Sequence, residues 1–164
     1  MDANNQSIIN AARQGDVNLL REMINDSTDL NASDEKGYTP LIIACYNNRL
    51  DAARFLLEAG ADVNSADFGG NTALMGVCFK GYPEIAELLI ACGADLNRQH
   101  GNGGTALMFA AMFGRNDLLR ILLAHDADIT IRDSRGLTVF DLAAQQGNET
   151  AIRLLEENVE QAGR

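Results

Sequence analysis

Residues Asp34 to Ala66 read DEKGYTPLIIACYNNRLDAARFLLEAGADVNSA. Moved along by 33 positions, the stretch recurs as DFGGNTALMGVCFKGYPEIAELLIACGADLNRQ, from Asp67 to Gln99, and again as HGNGGTALMFAAMFGRNDLLRILLAHDADITIR, from His100 to Arg132. Gly37, Gly70, Gly103 and Gly136 keep the same spacing, as do Thr39, Thr72, Thr105 and Thr138, and no insertion breaks the count. A fixed period of this length sets the architecture before any single residue does. One such unit cannot bury its apolar face alone and must stack on copies of itself.

Each copy carries the same local signals. Thr39 is a helix N-cap, and Pro40 sits at the first helical position, where a missing N–H costs nothing. A short helix to about Tyr46 follows. Asn48 then stands where the other copies have Gly81, Gly114 and Gly147, a position that calls for positive φ. Ala52, Ala53, Phe55, Leu56 and Leu57 form the apolar side of a second helix, which Gly60 ends. Asp126 replaces that terminating glycine in the third copy, at some strain. Asp62, Asp95 and Asp128 fall at turn corners and are expected to bond backbone N–H groups there.

The pattern D-x-x-G-x-T-P-L, an Ala-rich short helix, a Leu-Leu helix and G-A-D-V-N closely resemble the ankyrin repeat, over nearly the whole chain. The resemblance implies an all-α solenoid of stacked helix-turn-helix units joined by short β-hairpin-like loops. The predicted organisation is one domain, 1–164. Full repeats span 34–66, 67–99 and 100–132, between an N-terminal capping repeat at 1–33 and a C-terminal one at 133–164. In the first cap, Ile8, Ile9, Ala11 and Ala12 read as one helix with Ser7 near its start, and Leu19, Leu20, Met23 and Ile24 as the apolar stripe of the next. In the last, Glu156, Glu157 and Glu160 turn the surface polar, as a terminal unit requires. Many ankyrin repeats have TPLH, whose His ties neighbouring turns. Here Ile42, Met75, Met108 and Asp141 stand at that place, so the stack is expected to lean more on apolar contact. Asn64 and Asn97 occupy positions that the family can have hydroxylated.

Bulk composition narrows the function. The net charge is −10, which opposes a nucleic-acid surface built on clustered Lys and Arg and docking on anionic lipid. No apolar run is long enough to span a membrane, and the first residues lack the basic start and apolar core of a secretory signal. Three cysteines are an odd set. Cys45 and Cys78 fall one repeat apart on an inward helix face, too far apart to bridge, and read as buried thiols. Unpaired cysteines fit a reducing compartment and a cytoplasmic setting.

Candidate chemistry is thin. His100 and His125 have no ligand pattern around them, so no metal site and no cofactor is predicted. GNGGT at 101–105 lacks the Lys-Ser/Thr of a phosphate loop and lies where every repeat has a turn. No Ser or Cys has a base at a plausible spacing, and the chain does not read as an enzyme.

The resemblance places a binding surface on the hollow side, at the loop tips and the outer face of each first helix. The residues that stand there, and that the repeat itself does not require, are Lys36, Tyr38, Tyr46, Asn47, Phe68, Asn71, Phe79, Lys80, Asn102, Met112, Phe113, Arg135 and Leu137. Five of the chain's nine aromatics are among them. So are three bases, against one acid, Glu35, at the same set of positions. Aromatics, Met and few acids are the composition of an interface centre. The sequence therefore reads as a monomeric, non-catalytic module that binds a protein or peptide in a concave groove. Alternatives are a dedicated inhibitor or immunity-type protein that blocks one enzyme or toxin and, further off, a regulatory subunit of an enzyme.

Overall fold

The computed structural model describes residues 3–164; Met1 and Asp2, the start of the predicted N-terminal cap, lie outside the described residues. Ten α-helices form five pairs: α1 (Ala3–Gln14) with α2 (Val17–Met23), α3 (Pro40–Tyr46) with α4 (Leu50–Glu58), α5 (Ala73–Lys80) with α6 (Pro83–Ala91), α7 (Ala106–Met112) with α8 (Asn116–Ala124), and α9 (Val139–Gln145) with α10 (Glu149–Ala162). The first helices pack in one row, α1 on α3, α3 on α5, α5 on α7 and α7 on α9, and the second helices pack in a parallel row behind them. The described residues contain no named strand. The hairpin-like loops are turns, and Ala66 and Thr72 make an isolated antiparallel bridge in one of them.

The sequence determines the helix starts. Thr39, Thr72, Thr105 and Thr138 each accept a bond from the third backbone N–H of their helix, and Asp141 completes a capping box with Thr138. Each accepted bond satisfies one of the donors that a helix start leaves without a partner. Asn48 and Asp126 do adopt positive φ, at 56° and 61°. At the first cap the structure departs from expectation. The helix starts at Ala3, so Ser7 is interior, and its hydroxyl donates to the Ala3 carbonyl at 3.0 Å instead of capping. That back-bond lets a serine sit inside a helix. Leu19 is 37% exposed and only Leu20 of the α2 stripe is fully buried, because α2 has a neighbour on one side alone.

The seam of the front row is lined by small side chains. Ala11, Ala44, Val77, Ala110 and Ala143 share one position, and Ala12, Cys45, Cys78 and Ala111 the next, all of them buried. The two interior thiols pack as small hydrophobes. Burial pushes the Cys45 thiol up to about 12; for Cys78, burial and the nearby Asp117 carboxylate push in the same direction. Cys92 is exposed, and all three cysteines are free.

Polar rungs accompany the apolar stack, more of them than the missing TPLH histidines led one to expect. At the tips, Phe68 N–H donates to the Lys36 carbonyl (3.1 Å), Gly101 N–H to Gly69 (2.9 Å) and Ser134 N–H to Asn102 (2.9 Å). At the opposite corners, Asn31, Asn64 and Asn97 accept from the N–H of Asp62, Asp95 and Asp128 at 2.9, 2.7 and 2.8 Å. Those aspartates in turn accept from Asn64, Asn97 and Thr130 N–H, the turn bonds read from the sequence. Between helices, Arg49 donates to the Arg13 carbonyl, Arg115 to Phe79 and Asn148 to Ala111. Each of these side chains closes the C-terminal end of the preceding first helix, where carbonyls lack partners.

Leu89 has no solvent exposure and belongs to this core. Its truncation to Ala should cost roughly 2–5 kcal/mol in a denaturant titration; a loss under about 1 kcal/mol would misplace the inner face. A disulfide-exchange reagent should titrate one thiol, Cys92, in the folded chain and all three after denaturation, because the thiolate is the reactive form and burial suppresses it.

Candidate protein-binding surface

Residue thirteen of each repeat, counting from Asp34, lies just past the tight seam, so a large side chain there cannot go inside. Tyr46 and Phe79 hold that position in adjacent repeats, and their rings stack 6.4 Å apart with 5° between planes. Phe113, one residue further on in the third repeat, meets Phe79 edge-on at 4.7 Å. Phe109 lies parallel to Phe113 at 6.3 Å, and His100 lies against Phe109 at 5.3 Å. The result is a row of rings across three repeats. Such contacts are favourable in offset-stacked and edge-to-face forms. Tyr46 remains 43% exposed and Phe113 42% exposed, whereas Phe79 between them is half-buried. The Lys80 ammonium stands 5.0 Å over the Tyr46 ring, a cation–π contact.

The other predicted surface residues divide into three groups. Phe68, at a tip, is 77% exposed. Its ring lies on Gly37, where an added Cβ would come within 2.6 Å of the Phe68 backbone nitrogen, so the stacked tips require glycine there. Lys36 and Asn102 are exposed tips whose carbonyls take the inter-tip bonds. Tyr38, Met112 and Leu137 are half-buried against the core. Asn47 ends α3 and donates to the Ile43 carbonyl, and Asn71 donates to both carboxylate oxygens of Asp67, so these two mainly serve the scaffold. Arg135 forms an ion pair with Asp133 at 2.9 Å and therefore adds little free positive charge.

Three turns share one electrostatic device. Asp34, Asp67 and Asp133 each accept two backbone N–H bonds from their own turn. For Asp133 the Leu137 N–H, with help from Arg135, holds the carboxyl below the usual carboxylate range. Asp141 is likewise lowered by Thr138, through its N–H and its hydroxyl. His100 replaces the aspartate in the third turn and accepts from Asn102 N–H at 3.2 Å through Nδ1. An added Cβ on Gly104 would meet the His100 Nε2 at 2.7 Å, so that glycine makes room for the imidazole.

Two features of this surface escaped the sequence reading, both at repeat position ten. Ile43, Phe109 and Leu142 fill that position in their helices, whereas α5 has Gly76. The missing side chain opens a hollow of about 310 Å³ bounded by Tyr38, Ile43, Tyr46, Met75, Phe79 and Phe109, among others. A second recess, of about 510 Å³, lies beyond Phe109, between His100, Met112 and the turn at Asp133–Arg135. A glycine inside a helical pattern was the available signal. Among the described residues, no group of three or more His, Cys, Asp or Glu side chains is placed to hold a metal ion, and no helix is long and apolar enough to cross a membrane.

Stacked helical hairpins with tied tips define a helical-repeat protein. Comparison with known families makes this specific: the profile for three copies of the ankyrin repeat matches residues 74–162, and a profile for many copies matches 23–75. The chain belongs to the ankyrin repeat family. Ankyrin repeats are interaction modules for other proteins and are typically non-catalytic. Among curated proteins, none matches the chain.

Glycine inside a helix costs about 0.5–1 kcal/mol relative to Ala. At Gly76 a new Cβ would meet only the Tyr46 Cδ2, at 3.4 Å, an ordinary contact. Gly76→Ala should therefore raise the unfolding free energy by about 0.5–1 kcal/mol in urea titration. A loss instead would mean that the hollow is already filled by a neighbouring side chain.

Proposed function

We propose that this chain is a non-catalytic module that binds a protein or peptide partner in the concave groove along its first helices and tips. The observation that carries this reading is the ring row Tyr46–Phe79–Phe113. Its outer members stay open to solvent on a scaffold whose stacking does not need them. Contiguous exposed apolar surface of this kind favours a partner over solvent. Aromatic side chains held in place by neighbours lose little freedom on binding and suit the centre of an interface.

The domain spans 1–164, with 1–33 and 133–164 as its caps, and acts as a monomer in a reducing, cytoplasmic setting, which the buried unpaired thiols of Cys45 and Cys78 suit. Around the first tips the partner meets Lys36 and Lys80, the chain's two lysines. A partner with some acidic character fits that edge, and the remaining surface, with most of the acids, repels it.

Tyr46 and Phe113 are the right pair to remove, because Phe79 also braces its neighbours. Tyr46→Ala with Phe113→Ala should weaken partner capture by about 2 kcal/mol or more, while the melting temperature shifts little. Equal recovery of the same proteins from an extract of the source cells by wild type and double variant would remove the groove assignment.

A further inference from the structure

We propose that the hollow above Gly76 is an anchor pocket for one large apolar side chain, Leu, Ile, Met or Phe, of an acidic peptide segment. The proposal rests on the groove reading and specifies what the groove takes. Its first support is local. Gly76 sits in the middle of α5, where the equivalent positions of the neighbouring helices hold Ile43 and Phe109. Those two side chains therefore become the end walls of a gap one side chain wide, and Met75 and Tyr46 bound it as well.

Asp67, Thr72 and the Gly76 N–H, at the edge of the gap, are engaged within the protein. Asp67 accepts from the N–H of Gly69 and Asn71 and from the Asn71 side chain. Thr72 accepts from Met75 N–H, and Gly76 N–H donates to the Thr72 carbonyl. An occupant thus meets mainly carbon surface and aromatic faces, with the hydroxyls of Tyr38 and Tyr46 as the polar exceptions. That selects an apolar side chain over a polar ligand.

Charge selects what flanks the anchor. On a chain of net charge −10, the two lysines lie near this end of the groove, one over Tyr46 and one in an adjoining recess. Lys80 lies over Tyr46, which borders the hollow. Lys36 and Arg13 line the adjoining recess, which shares Tyr38, Ile43 and Tyr46 with it. The opposing carboxylates there are Glu35 and Asp34, the latter accepting two N–H bonds of its own turn, and Asp67 borders the hollow itself. Arg135, at the far end, is neutralised by Asp133. Lys36, Lys80 and Arg13 here stand against Asp34, Glu35 and Asp67, so this end of the groove lacks the acidic surplus of the chain as a whole, and acidic residues of a partner that reach the two lysines gain from it.

The test pans a phage-displayed library of random 12-residue peptides on the intact chain, then measures one enriched synthetic peptide by fluorescence anisotropy. Enriched peptides should share one Leu, Ile, Met or Phe flanked by Asp or Glu. Gly76→Leu fills the hollow and should weaken the peptide at least 10-fold, with a melting temperature equal to or above wild type. Lys36→Glu with Lys80→Glu should weaken it about as much, and added salt should weaken wild-type binding. If Gly76→Leu does not fold, Gly76→Ala and the lysine reversal decide: both must weaken binding, or the proposal falls. Peptides lost with Tyr46→Ala and Phe113→Ala but indifferent to Gly76→Leu would keep the groove and overturn the pocket. Peptides indifferent to all these variants would overturn both readings. No enrichment, or enrichment without the anchor and acids, overturns the pocket. Self-association abolished by Gly76→Leu would assign it to a second copy and overturn the peptide assignment.

Discussion

The structure depends on how closely consecutive first helices approach. Two successive positions in each, Ala11-Ala12, Ala44-Cys45, Val77-Cys78, Ala110-Ala111 and Ala143-Ala144, face along the stack. Small side chains there bring the helices close enough for the apolar residues around them to be fully buried. Through Ala143 every member of the set is buried; Ala144, with no helix beyond it, is exposed. The same seam limits what can follow. A ring at the next position has no room inside, so Tyr46 and Phe79 are pushed to the groove, and stacking at one ring per repeat brings them into register. The proposed binding surface is thus a by-product of the packing rule that makes the solenoid.

Most of the fold was legible because the repeat states its punctuation four times. Four threonine caps, the Pro40 start and the breaks at Asn48 and Asp126 needed only local rules, and the structure has them where those rules put them. The misses were at the ends. Ser7 resembles a helix start because serine favours caps, yet among the described residues no helix packs on the outer side of α1, and that helix extends back to Ala3. Leu19 fits an apolar stripe but has no second neighbour to cover it. Periodicity identifies a face; how deeply the face is buried depends on what stacks against it.

The site was legible only in part, for a related reason. Positions thirteen and fourteen stand out because the repeat does not need aromatics there. Position ten reads as core, and three of its four occupants are apolar and packed. Phe109 is therefore not marked out by its position, although it joins the ring row and separates the two recesses. Arg135 reads as a free base because its partner, Asp133, is two residues away, and whether such a pair meets depends on the backbone conformation of the turn. Polar ties between repeats were also hidden. The residues that make them, Asn31, Asn64, Asn97, Arg49 and Arg115, are ordinary surface types, and their bonds run to backbone about one repeat away.

Where the stack places its one helix-interior glycine follows from the energetics of neighbours. In a solenoid each unit is held mainly by the interfaces on its two sides, and a terminal unit has only one. The repeat at 67–99 has a full repeat on either side. Its first helix packs on both α3 and α7, and its tip is bonded to both neighbouring tips through Phe68 and Gly69. A loss of helix propensity and of buried side-chain volume at Gly76 is carried there by two interfaces. The same loss in α1 or α9 would fall on one. In α5 the missing side chain is bounded on both sides by large ones, Ile43 and Phe109, so that it leaves a walled hollow rather than an open edge. Stability thus allows the omission in any interior helix, and shape makes it a pocket in α5, where Phe79 and Lys80 stand and where Tyr46 and Phe109 reach in from the two neighbouring repeats.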